Sequence, residues 1–190
     1  ERGEIEFLAK KIGISFKEAG ILLDRKRPEV GQNGNKGSRS HAMYARGVTM
    51  EEWSNIRCVC YSPEDYLSPN PELVMTIKNL RVPVVAVTNS PREIGRRVLL
   101  VLGMSELLHS GKIAVFGPED FGVSKPSPVI YRAISERMAV SSGRCLSIGD
   151  HRYRDCEIPL QAGYGGAVLV DGPQEIVEFL KNPKKFTSLG

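Results

Sequence analysis

Val82-Pro83-Val84-Val85-Ala86-Val87 is the stretch that most narrows what this chain can fold into. An unbroken apolar run of strand length has no polar face to turn to water. It belongs to a strand covered on both sides, as in parallel sheets whose strands are joined by helices. The residues around it repeat that pattern. Asn70-Pro71 places an N-cap before a proline at the first helical position, predicting a helix to about Leu80. Ser90-Pro91-Arg92-Glu93 opens the next helix, with Ile94, Val98 and Leu102 on one side. Ile113 to Phe116 reads as a strand, Ser127-Pro128 as the start of a helix, and Cys145 to Ile148 and Ala167 to Val170 as further strands. Helices are expected near 154–163 and 173–181, the first distorted by Pro159. Strands alternating with helices predict a three-layer α/β domain around a parallel sheet.

Residues 1 to about 66 read differently, as helices and irregular chain. Ile5, Leu8 and Ile12 fall at helical spacing and Gly13 ends that helix. Ser15-Phe16-Lys17-Glu18 and Thr49-Met50-Glu51-Glu52 are capping boxes that open two more helices, the latter carrying Trp53 as a packing residue. Between them, Gly31 to Ser40 lacks apolar residues and the spacing of a phosphate-binding P-loop, and reads as a connector. From Asp24 to Arg46 the chain carries six Lys/Arg against two Asp/Glu. Such a segment is either a solvated loop or an attractor of anionic substrates. Aromatic interleaving is absent apart from Tyr44, which argues against nucleic acid. No apolar run approaches a membrane span. Cys58, Cys60, Cys145 and Cys156 lack metal-ligand spacing and read as small buried hydrophobes in a reducing cytoplasm.

Polar residues gather at the predicted strand ends, where open α/β sheets hold ligands. Thr88-Asn89-Ser90 ends the first strand at a helix N-terminus; it either faces an oxyanion or simply caps the helix. Lys125 lies in Gly122-Val123-Ser124-Lys125-Pro126-Ser127-Pro128, a turn stiffened by prolines. In Arg144 to Gly163 (RCLSIGDHRYRDCEIPLQAG), Asp150 and Asp155 follow a strand and precede a helix. Their carboxylates suit a hard cation such as Mg²⁺, or else serve as helix cap and first-turn acid.

Taken together, VTNSP, KPSPVIY and IGDHRYRDCEIPLQAG, in that order, resemble the haloacid dehalogenase superfamily of phosphatases over roughly Asn70 to Leu180. The resemblance implies a Rossmann-like core at 67–190 and a small helical cap at 1–66 that closes over the substrate. It implies that Thr88 binds a phosphoryl oxygen and that Asn89 lines the site. Lys125 neutralises phosphate and nucleophile, and Asp150 and Asp155 hold Mg²⁺. Arg25, Lys26, Lys36 and Arg39, in the cap segment, become candidates for gripping a second anionic group of a small phosphorylated metabolite.

One departure matters. The family's nucleophile is the first Asp of an Asp-x-Asp-x-Thr motif on the central strand, and no Asp in this sequence has another Asp two residues away. The expectation is that this strand lies upstream of Glu1 or comes from another chain, the apolar sheet edges beside it being otherwise unpaired. The alternatives are a catalytically inactive module that binds a phosphorylated ligand, and a metal-independent 2-haloacid dehalogenase, which the paired acids disfavour. A flavodoxin-like receiver is disfavoured by the helical first third.

Overall fold

A computed structural model describes residues 2–25 and 37–185. Four helices lead: α1 (Arg2–Ile12), α2 (Phe16–Asp24), α3 (Arg39–Tyr44) and α4 (Met50–Cys60). Both expected capping boxes form. The Ser15 and Thr49 side chains accept from the amides of Glu18 and Glu52, whose carboxylates return to the cap amides at 2.9 and 2.8 Å. The connector expected over Gly31 to Ser40 ends earlier, because Arg39 already starts α3; residues 31–36 lie outside the described residues. Helical spacing turns Leu8, Leu23, Met43 and Trp53 inward onto one core. Each such side chain stabilises the fold by roughly 1.5–3 kcal/mol.

Glu4 of α1 is fully buried in this layer. It accepts from Arg39 Nη1 of α3 at 2.8 Å and from Arg57 Nη1 of α4 at 2.5 Å. Arg57 also lies over the rings of Tyr61, at 4.6 Å, and Trp53, at 5.6 Å. A buried carboxylate is tolerated because two guanidinium groups satisfy it.

Then α5 (Pro71–Asn79), β1 (Val84–Val87), α6 (Arg92–Val101), α7 (Ser105–His109) and β2 (Ile113–Phe116) follow. Next come α8 (Pro128–Arg137), β3 (Leu146–Gly149), a π-helical turn at Arg152–Glu157, α9 (Ile158–Gln161), β4 (Gly166–Leu169) and α10 (Pro173–Lys181). Pro159 falls in the first turn of α9, and the wider π turn precedes it, so the expected distortion is real and has a definite form.

The protein has an α/β fold with parallel strands. Among the described residues the strands form two two-stranded sheets, β1–β2 and β3–β4. In the first, Val84 donates to Lys112 O and Thr88 to Phe116 O, so both strands advance together. In the second, Leu146 to Gly149 pair in parallel with Gly166 to Leu169. The chain falls into two compact units. One comprises 1–68, 86–101 and 115–120; the other comprises 69–85, 102–114 and 121–190. The second unit has its own apolar clusters, around Val168, Val170 and Phe179 and around Tyr131, Ile158 and Ala162. No described helix is long and apolar enough to cross a membrane.

Candidate active site

In the first unit, Thr88 directly follows β1, and its Oγ1 accepts from Ser90 N at 2.9 Å. That bond turns the chain toward α6 and fixes the hydroxyl. Gly95 of α6 lets the helix lie close, since a Cβ there would sit 3.0 Å from Val115 Cγ1 and 3.2 Å from Thr88 Cγ2. Asn89 follows Thr88 in the turn, half-buried. The N-terminus of α6 is not open to an oxyanion at every amide. Arg92 N donates to Glu119 Oε1 at 2.6 Å, and the Arg92 side chain pairs with Asp120 at 2.7 Å. This use of Glu119 and Asp120 was not legible in the sequence, although Gly117-Pro118 before them signals a tight turn; Gly117 N donates to Asp120 Oδ2. Thr88 and Ser90 line a recess of about 210 Å³ together with Arg57, Tyr61, Ile94 and Val98.

The second unit holds the acids. Strand β3 stops at Gly149, and the carboxylate of Asp155 packs against it. Asp155 N donates to His151 O at 2.8 Å within the turn, and Ser147 Oγ of the strand donates to Asp155 O at 2.6 Å, so the π turn is tied back to β3 at Asp155. Lys125 reaches this point from the proline turn before α8, and its Nζ donates to Asp155 Oδ1 at 2.7 Å. The pair is well shielded: the Lys125 side chain is 14% exposed and that of Asp155 6%. Asp150 differs, its side chain being 74% exposed. Two unforeseen residues complete the cluster. Arg154 Nε lies 3.4 Å from Asp155 Oδ2 and its Nη2 3.7 Å from Asp150 Oδ1. Tyr131 donates its hydroxyl to Arg154 O. Burial first, and then the charge of Asp155, push the Tyr131 phenol up, so it stays a donor. Tyr164, whose hydroxyl donates to Tyr131 O at 3.1 Å, is pushed up to about 12 by burial.

Of the cationic candidates, Arg39 is bound to Glu4 and to Asp24, the latter at 2.7 Å, and so serves the helical layer. Arg25 stands exposed at the C-terminal end of α2. Lys26 and Lys36 lie outside the described residues.

The described residues bring together no three His, Cys, Asp or Glu side chains at metal-binding geometry. Mg²⁺ does not require such a cage; one or two carboxylates, water and phosphate oxygens suffice. Asp150 and Asp155 meet that lower requirement: an oxygen of each faces the same cationic group, the Arg154 guanidinium. The donor set therefore fits a hard divalent ion that completes its shell with water and substrate.

A family model for haloacid dehalogenase-like hydrolases matches residues 6–163. Among solved structures, the chain resembles a HAD phosphatase from Thermococcus onnurineus at 19% identity and a TM-score of 0.57, covering 93% of this chain and 86% of that one. It also matches a HAD family hydrolase from Deinococcus radiodurans R1, solved with bound phosphate and sodium, at 18% identity over 95% and 82% of the two chains; there the TM-score is 0.44, too loose to bear on the site. No curated protein sequence matches. Spanning most of the chain, the family match makes this protein a member of the haloacid dehalogenase-like hydrolases.

Proposed function

We propose that the protein is a Mg²⁺-dependent phosphatase acting on a small phosphorylated metabolite. The observation that supports this most is the shielded Lys125–Asp155 pair beside the exposed Asp150 carboxylate at the end of β3. Lys125 offsets phosphoryl charge. The Thr88 hydroxyl, held in place by its bond from Ser90 N, is by itself a fixed donor of the kind that binds an oxyanion. Asn89 lines the same turn. Asp150 and Asp155 hold the cation, which when bound neutralises phosphoryl charge. Residues 1–66 act as the substrate-selecting cap and 67–190 as the core. The recess beside Thr88 admits a group of small-metabolite size, and exposed Arg25 is available to a second anionic group. Four unpaired cysteines agree with a reducing cytoplasm.

The attacking carboxylate, on this reading, comes from a segment other than residues 1–190, in the same polypeptide or a partner. It displaces the alcohol from phosphorus, giving an aspartyl-phosphate. Water then attacks that phosphorus, releasing inorganic phosphate and restoring the carboxylate. The test is phosphate release by the native polypeptide from p-nitrophenyl phosphate and a panel of phosphorylated sugars and nucleotides, with MgCl₂ and after chelation. Hydrolysis that disappears on chelation is expected; hydrolysis indifferent to it overturns the metal-dependent reading. The absence of any Asp-x-Asp pair supports a second reading, a module that binds a phosphorylated ligand without turning it over. Saturable phosphate binding with no hydrolysis would favour that one.

A further inference from the structure

Arg154 has no part in the chemistry above, yet it touches both acids. Its backbone is fixed: its N–H donates to His151 Nδ1 at 3.4 Å and its carbonyl accepts from Tyr131. Its side chain is 32% exposed, so the guanidinium has solvent to move into. One planar cation thus spans Asp155 Oδ2, at 3.4 Å, and Asp150 Oδ1, at 3.7 Å, while Lys125 holds the other oxygen of Asp155 at 2.7 Å. Two carboxylates facing two cations leave the cluster close to neutral. A divalent ion gains most there when one of the cations withdraws. The distances decide which: Lys125 makes a short, shielded, charge-assisted bond, whereas Arg154 makes only long contacts from a partly exposed position.

We propose that Arg154 is a tethered counter-ion. Its guanidinium competes with a divalent cation for the oxygens of Asp150 and Asp155, and it swings toward solvent when the cation enters. It is a positioning residue that sets cation affinity, by competing for the same oxygens rather than by touching the substrate. The inference rests on the reading of Asp150 and Asp155 as the cation site.

Binding of Mn²⁺, used as the probe for Mg²⁺, is followed through the electron paramagnetic resonance of the free ion, with the native protein and its Arg154→Gln, Arg154→Lys and Asp150→Asn variants. Arg154→Gln is expected to bind Mn²⁺ roughly fivefold more tightly at low salt, the factor one exposed ion pair is worth. The gap from wild type should narrow as ionic strength rises. Arg154→Lys, a point charge that cannot span both acids, should fall between, and it keeps the test open should the glutamine variant fold poorly. Unchanged or weaker binding in Arg154→Gln, with Asp150→Asn abolishing binding, overturns the counter-ion role alone. Binding that survives Asp150→Asn, or no binding by any form, overturns the cation site and the inference with it.

Discussion

Gly149 and Asp155 share a space that no side chain on Gly149 can enter: a Cβ there would lie 2.4 Å from Asp155 Cβ and 2.7 Å from its Cγ. The strand end therefore carries a glycine because a buried carboxylate lies against it. Gly149→Ala should push Asp155 away from Lys125 and destabilise the fold by about 1–3 kcal/mol. The check is a lower urea midpoint with an unchanged slope.

Removing Lys125 should be costly for a different reason. With Lys125→Met, the Asp155 carboxylate stays buried and, among the described residues, keeps the longer contact from Arg154. Breaking a shielded pair in this way costs about 3 kcal/mol or somewhat more. Adding Asp155→Asn should recover part of the loss, because the stranded charge is then gone. A double-mutant cycle in urea measures the coupling, and additive losses would show that the two side chains do not support one another.

The Thr88 hydroxyl offers a kinetic test. Thr88→Val removes a fixed donor and should lower kcat about 10²-fold. Thr88→Ser, which restores the hydroxyl, should recover most of the rate. Equal losses in both variants would point to packing against Gly95 rather than to hydrogen bonding.

The capping boxes predict an acid response. The Glu52 carboxylate is held below its ordinary value of 4.5 by the hydrogen bond from Lys11 and by that from the Thr49 amide, and Glu18 is held below it by Ser15. For a carboxylate whose folded value is depressed, the contribution to stability is present above the unfolded value and fades as the pH falls through the folded one. Thermal stability should therefore decline below about pH 4.5. Glu18→Gln and Glu52→Gln should each make that decline shallower, while costing stability at neutral pH. Melting curves from pH 3 to pH 7 give the comparison, and identical pH profiles would remove these carboxylates from the acid response.

Much of this architecture could be read from local rules. The Val82–Val87 run, the capping boxes at Ser15 and Thr49, and the helix at Pro173–Lys181 each depend on a few adjacent residues, and each is found, the strand beginning two residues late at Val84. Strands β3 and β4 are displaced by one residue from their expected positions, because apolar composition alone does not fix where pairing starts. Short α7 escaped notice, its five residues being too few for a periodic signal. What the sequence concealed are contacts set by geometry at a distance. Glu119 meets an amide 27 residues away. Arg154, by contrast, is next to Asp155 and four residues from Asp150, a local spacing; what was hidden there is the π turn that carries it.

The buried Glu4 has a mechanical consequence. Helices α3 and α4 each send an arginine to the same carboxylate on α1, so sliding any one of the three past the others would strand an unpaired charge out of reach of water. These helices are thereby pinned together, and a shear between α1 and either of the other two would break one of these contacts.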